Sequence, residues 1–252
     1  MNKKKKVGDN LTDLTNKNII SELKQIFDGV GKVATRSGFC ELKLSKPQRL
    51  DVGFYDNKLT FSSVNISVSE SLSGVNAVRF SLPELVSVLG LLQKRETLDL
   101  SYIKEHDVFW FNGLPLFHTK VLEDDQIFIP ETAVTYNREN WSNTIDVISN
   151  SKKELKKGFS PETEFLFVDV QNGEIRRLDN FDVKVTKVSD GDPSGDKFLV
   201  DKVNAKIIES IFSDCDNLDV SFNKNSVLFK SDDIQLKLDR PENLNIELYK
   251  PV

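Results

Sequence analysis

The sequence predicts an α+β fold made of two similar tandem domains, and three observations carry that reading. The chain repeats itself at an offset of 120 residues, and each copy alternates segments of helical and strand-like apolar period. Its 252 residues, 38% hydrophobic and 29% charged, can bury a core as one large domain or two smaller ones. Seventeen Phe beside only 12 Gly and 8 Pro exclude collagen-like and low-complexity chains.

The first copy opens on a helix whose apolar residues Ile20, Leu23, Ile26, Phe27 and Val30 share a face, and the second on one through Trp141, Ile145, Ile148 and Leu155. Strands follow in both. Asn65-Ile66-Ser67-Val68-Ser69 corresponds to Asp182-Val183-Lys184-Val185-Thr186, preceded by the turn pairs Asp56-Asn57 and Asn172-Gly173. A second helix is predicted over 81–92, with Leu85, Val88, Leu89 and Leu92 at helical spacing and Pro83 in its first turn. Its counterpart runs from a capping Asp201 through Val203, Ile207, Ile208 and Ile211 to Phe212.

Each copy closes on an antiparallel meander. Leu98-Asp99-Leu100-Ser101-Tyr102 returns as Leu218-Asp219-Val220-Ser221-Phe222, Lys104 as Lys224, and Val108-Phe109 as Leu228-Phe229. Leu114 and Leu116 match Ile234 and Leu236, with polar turns at Glu105-His106 and Asn225-Ser226. These elements divide the chain into an N-terminal domain over 1–123 with a basic tail over 1–10, a connector over 124–140 (DDQIFIPETAVTYNREN, without sustained period), and a C-terminal domain over 141–252.

No catalytic constellation emerges. The histidines, His106 and His118, and the cysteines, Cys40 and Cys215, are scattered without the close pairs of zinc sites. There is no Gly-x-Ser-x-Gly elbow, and Gly29-Val30-Gly31-Lys32 is too short for a phosphate loop. Asp190-Gly191-Asp192-Pro193-Ser194-Gly195 has the oxygen spacing of a calcium loop, but a strand precedes it and Asp201 replaces the bidentate Glu, so it reads as an exposed strand connector. No metal, cofactor or catalytic residue is expected. The start MNKKKKVGDN lacks a secretory apolar stretch, no apolar run nears the roughly 18 residues of a membrane span, and two lone cysteines suit a reducing cytoplasm.

The net charge of −5 gives no overall basic signature, so a nucleic-acid role must rest on where the charges sit. Helices over 17–36, 82–95, 141–157 and 201–214 hold 12 basic against eight acidic residues, a balance of +4 that leaves −9 on the rest of the chain. Lys152, Lys153, Lys156 and Lys157 group on one side of their helix. Such a cluster can track a backbone in a salt-sensitive, sequence-independent way. Lysine-rich helix surfaces are also common without any ligand, and charge alone does not decide between the two.

Two tandem helix-strand-helix-strand copies with basic helices on an acidic body resemble the sliding clamps of DNA replication. SLPELVSVLGLLQKRETLDLS over 81–101 is similar to phage clamps, while NGEIRRLDNFDVKVTKV, FLVDKVNAKIIESIF and NLDVSFNKNSVLFKSDDIQLKL are similar to domains of the bacterial clamp. The resemblance covers nearly the whole chain after the lysine tail. It implies two tandem clamp-like domains closing as a homotrimer, like phage clamps and proliferating cell nuclear antigen, with antiparallel sheets outside and helices lining the ring. It further implies a non-enzymatic polymerase processivity factor that encircles double-stranded DNA in a bacterial or phage-infected cytoplasm.

By the same resemblance, the candidate DNA-facing residues are Lys24, Lys32, Arg36, Lys94, Arg95, Lys152, Lys153, Lys156, Lys157, Lys202 and Lys206. A groove for the peptide tails of polymerase and clamp loader would be formed by Ile127, Phe128, Ile129 and Pro130 with Leu248, Tyr249, Pro251 and Val252. Phe128 and Leu248 could equally plug their own core. The joint between copies would pair 114–121 with 183–188 of a neighbour. The rival readings are a structural ring or tube protein of a phage particle, which needs no basic lining, and a monomeric DNA-binding polymerase accessory protein.

Overall fold

The computed structural model describes residues 38–54, 57–64, 66–91, 98–119, 128–151, 155, 165–179, 182–213 and 215–240. The first half contains β1 (Phe39–Lys43), β2 (Gln48–Phe54), β3 (Asn57–Val64), β4 (Ile66–Val68), β5 (Ala77–Ser81), helix α1 (Leu82–Leu91), β6 (Leu98–Ile103), β7 (Val108–Phe111), β8 (Leu114–Leu116) and β9 (His118–Thr119). The second contains β10 (Thr132–Asn137), helix α2 (Arg138–Ser151), β11 (Phe165–Asp169), β12 (Glu174–Asp179), β13 (Asp182–Lys187), β14 (Lys197–Asp201), helix α3 (Lys202–Phe212), β15 (Asn217–Phe222), β16 (Ser226–Ser231) and β17 (Ile234–Asp239).

The described strands form three sheets: β10-β15-β16-β17-β3-β2-β1-β5-β9, β13-β12-β11-β14 and β4-β6-β7-β8. The doubling is visible in the order. Strands β3-β2-β1-β5 before α1 are arranged as β13-β12-β11-β14 are before α3, and the β6-β7-β8 meander is arranged as β15-β16-β17. Strand alternation explains the meanders: Leu218, Val220 and Phe222 of β15 are buried between less buried neighbours, as are Phe109 and Phe111 of β7. Asn112 (φ 51°) and Gly113 (φ 80°) turn β7 into β8 with the paired positive φ angles that suit a two-residue hairpin.

Four sequence expectations are corrected. The segment at Ile66–Val68 is not the counterpart of β13; it pairs parallel with β6, and β3 takes the equivalent place. The turn pairs are not equivalent either, since Asn57 already belongs to β3 while Gly173 (φ 65°) turns β11 into β12. Along the ladders the last hairpins slip by two residues: Leu100 and Val220 oppose Phe111 and Phe229, which makes Trp110 the counterpart of Leu228 and Leu114 that of Leu236. Finally, the stretch expected to be an aperiodic connector holds β10, paired with β15, and α2 begins at Arg138. Only Val134 and Tyr136 of β10 face inward, too few to show a period.

The main core is one contiguous cluster running through both halves, with Phe167 and Leu199 buried in a smaller one. In the second half, Phe229 packs against Phe198 (5.5 Å, edge-on), Phe212 (6.0 Å) and Trp141 (6.2 Å). The halves meet where β17 pairs antiparallel with β3, Leu236 opposite Leu59 and Ile234 opposite Phe61. Leu59, Phe61 and Leu236 are fully buried there. The other face of this junction is ionic. The Asp51 carboxylate, only 2% exposed, meets Arg49 at 2.7 Å, Lys58 at 3.1 Å and Lys43 at 3.9 Å, and accepts a hydrogen bond from the Thr60 hydroxyl at 3.0 Å. Glu41 is held by Arg79 at 2.7 Å. A buried carboxylate is tolerable only with such partners.

Because one sheet spans both halves, we predict a shared unfolding transition. Leu59→Ala should lower stability by about 2–5 kcal/mol in denaturant unfolding, with probes in both halves shifting together. Two separated transitions with only the first one moved would show that the junction does not couple the halves.

Candidate nucleic-acid interface

The second-half helices are built to lie side by side. In α2 the apolar spacing buries Trp141, Ile145 and Ile148 along with Thr144, and the Asn137 carboxamide oxygen accepts from the Asn140 N–H at 3.0 Å. In α3 the Asp201 carboxylate caps the first turn by accepting from the Asn204 N–H at 2.6 Å, and Ala205, Ile207, Ile208 and Phe212 are buried. The Trp141 indole N–H donates to the Phe212 carbonyl at 2.8 Å, and the Ser149 hydroxyl bonds to Glu209. These contacts fix which faces remain for a ligand.

On α3 that face carries Lys202, exposed, and Lys206, half-buried, one turn apart. The other nine candidates, Lys24, Lys32, Arg36, Lys94, Arg95, Lys152, Lys153, Lys156 and Lys157, lie outside the described residues. Within α1, α2 and α3 the charges are Arg138, Lys202 and Lys206 against Glu84, Glu139, Asp146 and Glu209. The described helical stretches are therefore not basic, and the positive balance read from the sequence comes from residues outside them. Arg138 pairs at 3.2 Å with the exposed Asp216.

Of the expected peptide groove, Phe128 is half-buried, Ile129 is 70% exposed and Pro130 is exposed. They are tied to the end of β15, where the Glu131 N–H donates to the Phe222 carbonyl at 2.7 Å and the Asn223 side chain donates to the Ile129 carbonyl at 3.4 Å. Ile127, Leu248, Tyr249, Pro251 and Val252 lie outside the described residues. A nearby cavity of about 120 Å³ is lined by Tyr136, Asn140, Ser189, Asp190 and Asp192 among others. Hydrogen bonds from Ser194, hydroxyl at 2.5 Å and backbone N–H at 2.9 Å, hold the Asp192 carboxyl below its usual range. Burial pushes the Tyr136 phenol up. An anionic, polar hollow repels phosphate and offers no seat for an apolar anchor, so it is neither expected site. The calcium-like run at 190–195 forms the connector between β13 and β14, and no group of three acidic, His or Cys side chains among the described residues could hold a metal.

Two edges complete the geometry. β8 ends one sheet and β13 ends another among the described residues. The edge expected over 114–121 is shorter than that, because His118–Thr119 leaves it to pair with β5, and 120–121 lie outside the described residues. Exposed apolar side chains sit on both edges, Phe117 just past β8 and Val185 in β13. Sequence reading missed Phe117, which looks like an ordinary strand residue until its neighbours are known.

No family model and no curated protein matches this sequence. Solved structures do. The Helicobacter pylori β clamp bound to a DNA ligase peptide matches with a TM-score of 0.62 at 10% identity, over 90% of this chain and 64% of that one. The DNA polymerase III β subunit of Borrelia burgdorferi matches at 0.67 and 9% identity over 94% and 66%. That of Thermotoga maritima matches at 0.67 and 11% identity over 91% and 64%. The chain spans less than two thirds of the length of these proteins. With the strand order repeated across two halves and these matches over nine tenths of its length, the chain has the α+β sliding-clamp fold.

Proposed function

We propose that this chain is a non-enzymatic sliding clamp, a processivity factor whose copies close around duplex DNA as a homotrimer and tether a polymerase. One observation supports this above the others. The joint inside the chain, β17 against β3, uses two strands whose counterparts in the other half, β8 and β13, are both left at sheet edges among the described residues. A joint between β8 of one copy and β13 of the next repeats the internal one, and two halves per copy make six in a ring of three. Head-to-tail contacts that close in this way form rings. Unpaired edges are otherwise a liability that a monomer must blunt, which favours the ring over a monomeric accessory protein.

In such a ring, grip comes from enclosure, and mobile phosphate contacts from Lys202, Lys206 and the lysines at 152–157 permit sliding. The Helicobacter clamp was solved with a DNA ligase peptide, and a peptide tail of polymerase or loader is proposed here to use the surface around Phe128, Ile129 and Pro130. The setting proposed is the cytoplasm, with two-domain phage-type clamps as the parallel.

The direct test is retention on DNA. Loaded onto a nicked circle by a clamp loader, the protein should stay bound in high salt and leave when the circle is cut; release that ignores cutting would sink the enclosure. Replacing Lys152, Lys153, Lys156 and Lys157 together by Ala should cut polymerase stimulation several-fold and flatten its salt dependence, with the oligomer intact. Unchanged stimulation across salt would remove these lysines from the DNA path.

A further inference from the structure

The β3 and β13 sheets differ along the face turned away from the core. In the internal joint the core face is apolar, through Leu59, Phe61 and Leu236, and the opposite face is ionic, with Lys237 opposite Lys58, Gln235 opposite Thr60, and the Asp51 network alongside. On the β13 sheet that opposite face carries apolar rows beside an ionic one, in which the buried Asp169 meets Arg176 at 3.5 Å and Lys197 at 3.6 Å and Glu174 holds Arg176 at 2.9 Å. Val183 opposes Leu178, and Val185 opposes Arg176, which opposes Phe167, which in turn opposes Leu199. Phe167 and Leu199 form a buried cluster with Phe165 and Leu178 packed on it, separate from the main core, and the Arg176 guanidinium lies 5.6 Å from the Phe167 ring centre.

The β8 side matches it. Pro115 opposes Trp110, and Val108 opposes Ile103, all on the face of the β6-β7-β8 meander turned away from Phe109, Phe111 and Leu116. Phe117, just past β8, is 63% exposed, and Val185 of β13 is 41% exposed. The internal repeat sets how the two would meet. Ser81 and Asp201 start the count: their partners Phe39 and Phe165 correspond, then Val52 and Arg177, then Leu59 and Lys184. Leu236 opposes Leu59, and Leu114 is the counterpart of Leu236. Leu114 of one copy therefore faces Lys184 of the next, and Pro115 faces Val183.

We infer that the joint between copies is sealed by an apolar seam on the sheet face away from the core, Trp110, Pro115 and Phe117 of one copy against Val183 and Val185 of the next. This rests on the ring reading above and adds what holds the ring shut. An ionic joint loosens as salt screens it, whereas an apolar seam does not. The seam thus keeps the ring closed under conditions that weaken its hold on phosphate.

The test is sedimentation equilibrium of the full chain at low and high NaCl, for the natural sequence and for Val183→Asp with Val185→Asp. The seam predicts a trimer whose dissociation constant is unchanged or lower at high salt, and rises by at least about tenfold in the double variant. Both substitutions are on an edge strand, and an unchanged unfolding curve in dilute monomer excludes misfolding. Independently, Pro115→Cys with Val183→Cys, in a Cys215→Ser background, should give disulfide-linked ladders on oxidation, while Pro115→Cys with Lys184→Cys, whose side chains point to opposite faces, should not. A trimer that falls apart in salt, ignores the aspartates and does not cross-link would overturn the seam and leave the ring. A monomer at every concentration would overturn both.

Discussion

The pairing of β17 with β3 is the contact on which the rest of the structure depends. It brings together strands some 180 residues apart in sequence, Asp239 N–H even reaching the Asn57 side chain at 3.3 Å. Closing so long a loop is entropically costly, but the cost grows only logarithmically with length. Burial of Leu59, Phe61 and Leu236 beneath the joined sheet offsets it. Once the joint forms, a four-stranded and a five-stranded unit become one nine-stranded sheet, and the orientation of one half relative to the other is set by hydrogen bonds instead of by a linker.

The doubled architecture has kept its framework while its surfaces diverged. Leu100 and Val220 hold the same ladder place and are both buried, as are Phe111 and Phe229. Away from the core the copies share little. Asp51 of the first half, ringed by Arg49, Lys58 and Lys43, stands where Arg176 of the second half covers Phe167. Core positions are constrained by packing density, and outward positions only by what they must meet. The second half adds the buried Phe167 and Leu199 to this outward face, beside the ion pairs of Asp169 with Arg176 and Lys197.

Much of this was legible in the sequence where local rules decide. The Asp201 cap and the spacing of Ile207 and Ile208 located α3, and alternation located both meanders. The copies of the first sheet were harder, because a ladder fixes register through backbone groups whatever the side chains are. Leu59 and Lys184 hold one place in the fold, yet no comparison of residue types would align them, and Ile66–Val68 offered a better-looking and mistaken match. β10 was missed because two inward residues make no pattern. Of the site, Lys202 and Lys206 were readable as helix-face cations, whereas Phe117 and Val185 acquire meaning only from long-range pairing.

The account stands on closure of identical copies through a repeat of their own internal joint. Electron micrographs of the purified full chain test that most directly. It predicts closed rings of six similar lobes around an open centre. A field of separate two-lobed particles, at concentrations where clamps work, would contradict it.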